Sequence, residues 1–187
     1  MVMRKQFDKA IEESKTALEF EPYSPIINMQ LGVTYICQGE YQKAVDQLVK
    51  TVGFDSTNAI SHNRLGMAYI GMKQFDKAQL HFRKATDLAP GNTRFLSNLG
   101  FAEAAAGKID EAKKNKLELV SQMKTKYVPA YDLAVISLGL GEDQEALQYL
   151  ELAFKNREPW MPFIGMNPLF ASLKDNARFQ SLVQKMY

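Results

Sequence analysis

Hydrophobic positions return along this chain at a fixed interval. A leucine recurs with constant spacing, and each of these leucines is followed by glycine or alanine. The four pairs are Leu31–Gly32, Leu65–Gly66, Leu99–Gly100 and Leu133–Ala134. Around them, apolar residues recur at steps of three and four, which is the spacing of one face of an α-helix. The pattern therefore predicts an array of helical repeats, each of about 34 residues.

Each interval is long enough for two helices. An alanine lies thirteen residues after each leucine, where the pattern predicts a second helix, and small residues let antiparallel helices pack closely. These alanines are Ala44, Ala78, Ala112 and Ala146. Glycine lies between the predicted helices, and proline follows several second helices, as expected where a helix ends. These residues are Gly39, Gly107, Gly141, Pro22, Pro90 and Pro159.

We expect the first helices of the four repeats at about 25–38, 59–72, 93–106 and 127–140, and the second helices at about 41–54, 75–88, 109–123 and 143–156. No strand is expected. Phe7, Ala10, Ala17 and Pro22 match a second helix whose partner is missing, so the chain opens in mid-repeat and is expected to be a fragment of a longer protein. The predicted organisation is a truncated repeat at 1–22, repeats at 25–58, 59–92, 93–126 and 127–159, and a C-terminal helical cap at 160–187. We call residues 160–187 the C-terminal segment.

These residues and spacings resemble the tetratricopeptide repeat. The likeness is strongest over residues 25–92 and covers roughly 1–159. Its signature residues are Leu65, Gly66, Tyr69, Ala78, Phe82, Ala85 and Pro90. The resemblance implies an all-α fold, a right-handed α-solenoid of helix-turn-helix repeats. The third and fourth repeats depart from the pattern, since Glu103 and Ser137 replace an aromatic residue and Lys116 replaces a large apolar one.

The C-terminal segment supports two interpretations. Together with the end of the fourth repeat, it is similar to repeat regions of larger bacterial signalling proteins, notably winged-helix transcriptional activators and serine/threonine kinases. That likeness rests on Glu145, Ala146, Leu150, Ala153, Arg157, Pro159, Trp160, Pro168, Leu173, Arg178, Phe179 and Leu182. The alternative is a hydrophobic cap on the fourth repeat, in which Pro168 opens one helix and Asp175 is the N-cap of another. In that cap Leu169, Phe170, Leu173, Phe179 and Leu182 would pack on the repeat.

The first helices carry a second apolar face, which is the candidate binding site. Its residues are Ile26, Met29, Val33 and Ile36 in the first repeat, Ile60, Asn63, Met67 and Ile70 in the second, Arg94, Ser97, Phe101 and Ala104 in the third, and Val128, Tyr131, Val135 and Leu138 in the fourth. In tetratricopeptide proteins these positions line the concave groove. Met and aromatic residues there suit an amphipathic helix or a hydrophobic peptide. The clamp for acidic chaperone tails is not expected, because Arg64, Asn63, Asn98 and Arg94 are too scattered to rebuild it.

The predicted function is therefore a protein-interaction scaffold that binds a peptide or helix segment in this apolar groove. The alternative is a regulatory or ligand-sensing repeat region of a larger transcriptional regulator or kinase. A third alternative is an enzyme that uses residues 157–187. Occupation of the groove by the C-terminal segment, or by a second copy of the chain, also remains open.

Composition narrows the choice of partners. The net charge is +2, and Lys113, Lys114 and Lys116 are offset by nearby acidic residues, so we expect no nucleic-acid partner. No apolar run reaches membrane-spanning length, and we expect no membrane association. The first residues show no signal-peptide pattern, and the single cysteine, Cys37, is predicted to be a packed, inert thiol. These features favour a cytoplasmic protein.

Little in the sequence indicates catalysis. The two histidines, His62 and His81, lie on the first and second helices of one repeat without a metal-ligand spacing, and we expect them at the surface. Gly139 and Gly141 lack the glycine-lysine of a phosphate-binding loop. We therefore predict no enzyme activity, no catalytic residues, no metal and no cofactor.

One charge pair is predicted inside the third repeat. Glu103 and Lys116 take the places that Tyr35 and Leu48 occupy in the first repeat. Because the two charges are opposite and lie on the two helices of one pair, we expect the Lys116 stem to reach Glu103 along the helix interface.

Overall fold

A computed structural model of the chain describes residues 2–186, with side chains from residue 6 onward. Within residues 2–186 all regular structure is helical, which confirms the all-α prediction. The chain divides into two compact units, Met1–Leu88 and Ala89–Tyr187, and Met1 and Tyr187 themselves lie outside the described residues. Each unit is described by itself.

Five helices form the first unit. They are α1 (Val2–Phe20), α2 (Pro25–Gln38), α3 (Tyr41–Phe54), α4 (Ala59–Gly71) and α5 (Phe75–Leu88). Each helix packs against the next one in the chain, and α2 also packs against α4. The bounds of α2, α3 and α5 are those that the hydrophobic period predicts.

The helix pairs α2–α3 and α4–α5 meet at their glycines. A Cβ atom placed on Gly32 would lie 2.6 Å from Leu48, and one placed on Gly66 would lie 2.6 Å from Phe82. Leu48 and Phe82 have no exposed surface. The glycine after each repeat leucine therefore makes room for a large side chain of the second helix, because close packing leaves no space for another methyl group.

The turns inside the repeats use left-handed backbone conformations. Gly39, Gly107 and Gly141 have φ angles of 79°, 82° and 75°, as expected for residues that end a helix. In the second repeat the same position holds Lys73, whose φ is 57°. This left-handed conformation favours glycine, because the Cβ atom of any other residue crowds the following carbonyl oxygen. Lys73 adopts it nonetheless.

Four longer helices and a C-terminal segment form the second unit. The helices are α6 (Thr93–Ala105), α7 (Ile109–Gln122), α8 (Ala130–Gly139) and α9 (Asp143–Lys155). Helix α6 packs against both α7 and α8, and α8 packs against α9. Helix α8 begins three residues later than predicted. Pro129 is its N-cap, and the residue before a proline is disfavoured in the helical conformation, which holds residues 127–129 outside the helix.

Most of the C-terminal segment is helical. It forms two 3₁₀ helices, Met161–Met166 and Pro168–Leu173, followed by α10 (Ala177–Gln184). The prediction that Asp175 caps the last helix is wrong, because the Asn176 side chain accepts hydrogen bonds from the backbone N–H groups of Arg178 and Phe179. The five apolar residues expected to pack are all buried: Leu169, Phe170, Leu173, Phe179 and Leu182.

The third repeat packs differently from the first two. A Cβ atom placed on Gly100 would meet Ile136 of α8 at 2.3 Å, whereas the equivalent glycines in the first unit meet the second helix of their own repeat. A Cβ atom on Gly139 would lie 2.6 Å from the Phe101 backbone. Helices α6 and α8 therefore approach each other closely, and Ile136 fills space that a large second-helix residue fills elsewhere.

The predicted pair of Glu103 and Lys116 is wrong. Asn115 donates a hydrogen bond to Glu103, with 2.6 Å between Nδ2 and Oε2. Lys116 Nζ lies 2.6 Å from Glu142 Oε2 and also donates to Glu145. The Lys116 side chain therefore points towards the next repeat instead of along its own helix pair.

Candidate interaction surface

In the first unit, part of the predicted groove is accessible. Ile26 is 74% exposed and Ile60 is 50% exposed, and the two residues hold the same position in successive repeats. Met29 and Val33 are half-buried. The remaining predicted residues of this unit, Ile36, Asn63, Met67 and Ile70, are buried. We call Ile26, Met29, Val33 and Ile60 the α2–α4 face.

Two exposed aromatic residues add to the apolar surface of the first unit. Tyr23, in the turn before α2, is 76% exposed, and Phe54, at the end of α3, is 41% exposed. Their rings pack edge to face with centroids 5.8 Å apart. Tyr23 lies just before Ile26 in the chain, and Phe54 lies shortly before Ile60. Apolar side chains are thus exposed together at the start of both first helices. Such a cluster is less usual than a single exposed apolar residue, which is ordinary on protein surfaces.

In the second unit, the predicted groove residues are largely covered. Arg94 and Phe101 are half-buried, and every residue of α8 from Ala130 to Leu138 is buried. The buried groove residues of this unit are Ser97, Ala104, Val128, Tyr131, Val135 and Leu138. Helix α8 therefore has no face left for a partner in this conformation.

The C-terminal segment lies on the predicted groove face of α8. The Phe170 ring packs edge to face on Tyr131 with centroids 5.4 Å apart, and Asn167 Nδ2 donates to the Tyr131 hydroxyl at 2.5 Å. Tyr131 is 2% exposed as a result. A partner can reach Tyr131 only if this segment moves, which corresponds to the alternative in which the chain's own C-terminal segment occupies the groove.

Arg94 takes part in internal contacts of the second unit. Its Nε donates to Asp132 Oδ1 at 2.5 Å, and its guanidinium carbon lies 4.5 Å from the Tyr131 ring and 4.8 Å from the Trp160 ring. Thr93 donates a second hydrogen bond to Asp132 at 2.7 Å. Because a buried carboxylate needs such partners, Arg94 and Thr93 together satisfy Asp132 within the second unit.

A buried glutamate holds the start of α8. Glu158 is 5% exposed and accepts hydrogen bonds from the backbone N–H groups of Ala130 and Tyr131 at 2.8 and 3.0 Å and from the Tyr127 hydroxyl at 2.8 Å. The first N–H groups of a helix have no partners within the helix and favour a negative charge. Glu158 satisfies two of them from the far end of the fourth repeat. The hydrogen bond that the Tyr127 hydroxyl donates to Glu158 raises the pKa of Tyr127.

The charges around Lys116 are paired across repeats. Burial would raise the pKa of Glu145, but hydrogen bonds from Lys116 and Ser137 outweigh burial, and the pKa is lowered. Burial alone would lower the pKa of Lys116, but the hydrogen bonds and charges of Glu142 and Glu145 outweigh burial and raise it. Lys116 therefore differs from its predicted companions Lys113 and Lys114, which are exposed.

The two histidines form a pair that the sequence prediction missed. His62 is 6% exposed, so the expected surface position is wrong for this residue, and its Nδ1 lies 3.0 Å from Nδ1 of His81. His62 Nε2 lies 3.1 Å from the Ser56 carbonyl oxygen. The signal was available in the repeat register, because the equivalent positions of the first repeat hold Asn28 and Gln47, which also hydrogen-bond to each other.

Other candidate chemistry is limited among the described residues. Residues 2–186 contain no group of three or more His, Cys, Asp or Glu residues placed to hold a metal ion. Burial raises the pKa of the Cys37 thiol, which favours its neutral, unreactive form. In the described part of the chain, every helix is too short or too polar to cross a membrane.

Comparison with protein families gives one match. The tetratricopeptide repeat model matches residues 59–92, which are the predicted second repeat. No curated protein matches the chain significantly. Tetratricopeptide repeats act in general as non-catalytic scaffolds for protein–protein interaction, with the partner bound on a concave surface.

Solved structures with the same arrangement of helices include bacterial proteins. The MamA structure is 24% identical, has a TM-score of 0.61 and is matched over 84% of this chain and 92% of MamA. The pilF protein of Pseudomonas aeruginosa is 22% identical, with a TM-score of 0.61 over 99% of this chain and 85% of pilF. A tetratricopeptide-repeat protein of Thermus thermophilus is 18% identical, with a TM-score of 0.66 over 98% and 93% of the two chains.

These matches agree with the helix pairs, the glycine contacts and the repeat period. At these identities the structural likeness establishes the fold. Residues 59–92 match the tetratricopeptide repeat model, and the chain has the helix-pair fold of tetratricopeptide-repeat proteins.

Proposed function

We propose that this chain is a protein-interaction scaffold that binds an apolar peptide or an amphipathic helix on the α2–α4 face. The observation that carries the proposal is the exposure of two isoleucines, Ile26 and Ile60, at the same position of successive repeats. Isoleucine is usually buried, and a repeated exposed position provides matching apolar contacts for an elongated partner.

The proposal places binding in the first unit. There the half-buried side chains of Met29 and Val33 lie on the same helix face as Ile26, at steps of three and four residues. Methionine adapts its shape to different apolar partners. In the second unit the equivalent face of α8 is covered by the C-terminal segment, so we do not extend the surface to Val128, Tyr131 or Val135. The regulatory alternative has no observation among the described residues that favours it.

A pair of matched variants tests the proposal. The change Ile26→Glu with Ile60→Glu places charge on the α2–α4 face, and both side chains are exposed enough for the fold to tolerate it. The control is Leu80→Glu, which changes a 66% exposed apolar residue on α5. Full-length wild type and both variants are used for affinity capture from cell extract, with helical content checked by circular dichroism.

We expect the double variant to lose a bound protein that the wild type and the Leu80→Glu variant retain. Each buried apolar side chain contributes about 1.5–3 kcal/mol, so two lost contacts reduce the affinity by more than about a hundredfold. Equal capture by all three proteins would contradict binding on the α2–α4 face.

A further inference from the structure

His62 and His81 connect the two helices of the second repeat through their ring nitrogens. His62 lies near the start of α4 and His81 lies in the middle of α5. Their Nδ1 atoms are 3.0 Å apart, the ring planes are inclined at 24° and the ring centroids are 5.3 Å apart. The distance between the centroids exceeds the distance between the two nitrogens by about two ring radii. The two nitrogens therefore lie between the centroids, and the rings meet edge to edge with one N–H pointing at the other nitrogen.

The neighbouring carbonyl determines which nitrogen carries the proton. The Ser56 carbonyl oxygen, 3.1 Å from His62 Nε2, can only accept a hydrogen bond, so His62 Nε2 carries hydrogen. In the neutral pair His62 Nδ1 is then the acceptor and His81 Nδ1 is the donor. One added proton still leaves a single N–H between the rings. Protons on both imidazoles put two hydrogens and two positive charges in the same 3.0 Å gap.

The first repeat contains the same construction without an ionisable group. Gln47 Nε2 donates to Asn28 Oδ1, and Asn28 Nδ2 donates to the Pro22 carbonyl oxygen at 3.1 Å. Pro22 and Ser56 are one repeat period apart, as are Asn28 and His62, and Gln47 and His81. The side-chain link between the two helices, and its anchor on the preceding turn, are thus common to both repeats. The second repeat differs in that its link can be protonated.

From these contacts we propose that the His62–His81 pair is an acid-sensitive lock of the second repeat. The pair holds α4 to α5 while at most one imidazole is charged, and it opens when both are protonated. The amide pair of the first repeat is a lock of the same kind that does not respond to pH.

The surrounding groups decide how strongly the lock responds. Asp55, in the turn after α3, is the acidic group that interacts with His62, and the charge of His62 contributes to lowering the pKa of Asp55. His62 itself lies in the first turn of α4, where the helix dipole is positive. Tyr69 of α4 lies parallel to His81 with ring centroids 5.6 Å apart, and Lys77 of α5 lies over the Tyr69 ring. From the helices packed against α4, Cys37 of α2 faces Arg64, and Tyr41 of α3 lies against Gly71. Burial, together with the charge of His62, lowers the pKa of His81 to about 4.

The sign of the effect follows from the lowered pKa. A histidine whose pKa is lower in the folded state than in the unfolded state binds more protons when the chain unfolds. Its contribution to stability is complete above about pH 6.5 and is lost as the pH falls towards 4. The two rings are coupled, so the loss belongs to the second proton taken up by the pair.

The first test is nuclear magnetic resonance of the full chain with ¹⁵N-labelled histidine between pH 7.5 and 4. The chain has two histidines, so the His81→Gln variant assigns both signals. At pH 7.5 we expect His62 as the Nε2–H tautomer and His81 as the Nδ1–H tautomer, with one of the two protonation steps below pH 5. Two independent titrations near pH 6.5 would overturn the proposal.

The second test transplants the first-repeat pair into the second repeat. The full-length variant with His62→Asn and His81→Gln is compared with wild type by urea unfolding at pH 7 and pH 4.5. We expect the unfolding equilibrium constant of wild type to rise by about fivefold to fiftyfold more than that of the variant, after allowance for the half-buried position of His81. The carboxylates are common to both proteins, and their contributions cancel except for that of Asp55, which interacts with His62. Equal responses in the two proteins would refute the lock, and if the variant does not fold, the wild-type titration decides.

Discussion

At the scale of single residues, the size of one side chain decides how closely two helices pack. The Gly66 backbone lies against the Phe82 ring, whereas Gly53, near the end of α3, has no atom within 4 Å of the place where a Cβ would lie. The two glycines therefore have opposite roles, although both are helical. One is required for packing, and the other contributes only conformational freedom to the unfolded chain.

The change Gly66→Ala is expected to destabilise the protein by about 1–3 kcal/mol, because the added methyl group overlaps Phe82 at 2.6 Å. The matched change Gly53→Ala is expected to stabilise it by about 0.5–1 kcal/mol, because alanine has the higher helix propensity. Thermal or urea unfolding of both variants measures the difference. Equal melting temperatures would contradict the proposed helix contact.

The change Lys73→Gly is expected to stabilise the chain by about 0.5–1 kcal/mol. Lys73 has a φ of 57° where three other repeats have glycine, and the left-handed conformation costs about 1–2 kcal/mol for a residue with a side chain. Part of that gain is lost to the greater freedom of glycine when unfolded. Lys73→Ala is the control, and it should give no comparable gain in urea unfolding. A destabilised Lys73→Gly variant would show that the lysine side chain contributes more than the strain.

At the scale of helices, contacts between neighbouring repeats replace contacts within a repeat. Lys116 of α7 reaches Glu142 and Glu145 at the start of α9, and Ile136 of α8 fills the space beside Gly100. Both contacts arise where the sequence departs from the tetratricopeptide pattern. The third repeat is therefore joined to the fourth by a charge cluster as well as by apolar packing.

A double-mutant cycle with Lys116→Met and Glu145→Gln is expected to show a coupling energy of about 1 kcal/mol. The Lys116 side chain is 18% exposed and that of Glu145 is 40% exposed, so the pair is screened less than one fully in solvent. The cycle with Glu103→Gln in place of Glu145→Gln serves as the control and should be nearly additive. Because the pKa of Glu145 is lowered, the coupling should be present at neutral pH and fade as the carboxylate is protonated. Additivity in both cycles would contradict the pairing.

At the scale of the whole molecule, the two compact units differ in how much apolar surface of their first helices they leave exposed. The first unit leaves Ile26 and Ile60 in solvent. The second unit places its C-terminal segment on α8, which would otherwise expose Tyr131 and its apolar neighbours. The apolar face of α8 needs such a cover, because a large exposed apolar patch promotes aggregation.

The change Phe170→Ala is expected to destabilise the protein by about 3–5 kcal/mol, since Phe170 has no exposed surface and packs on Tyr131. Phe163→Ala is the matched control in the same segment. Because Phe163 is 47% exposed, its loss should cost less than about 1 kcal/mol. Urea unfolding compares the two variants, and size-exclusion chromatography follows association. If Phe170→Ala is as stable and monomeric as Phe163→Ala, the C-terminal segment does not act as a cover.

The sequence alone determines the helices and the repeat. The repeat period and the three- and four-residue steps place seven of the helices close to their observed bounds, because helix formation depends on nearby residues. The late start of α8 was also readable from Pro129, whose ring disfavours a helical residue before it. The fold class and the glycine contacts with second helices in the first two repeats follow from the same local pattern.

Tertiary structure decided which side chains meet and which stay accessible. Whether Lys116 pairs with Glu103 or with Glu142 and Glu145 depends on how neighbouring helices are rotated, and sequence spacing does not fix that rotation. The same is true of the two histidines, which lie on different helices, and of Phe170, which reaches back from the C-terminal segment to α8. Periodicity identified an apolar face on each first helix. Packing then left that face partly exposed on α2 and α4 and buried it on α8. The difference arises because the C-terminal segment packs on α8, and its position depends on the tertiary structure and not on the repeat period.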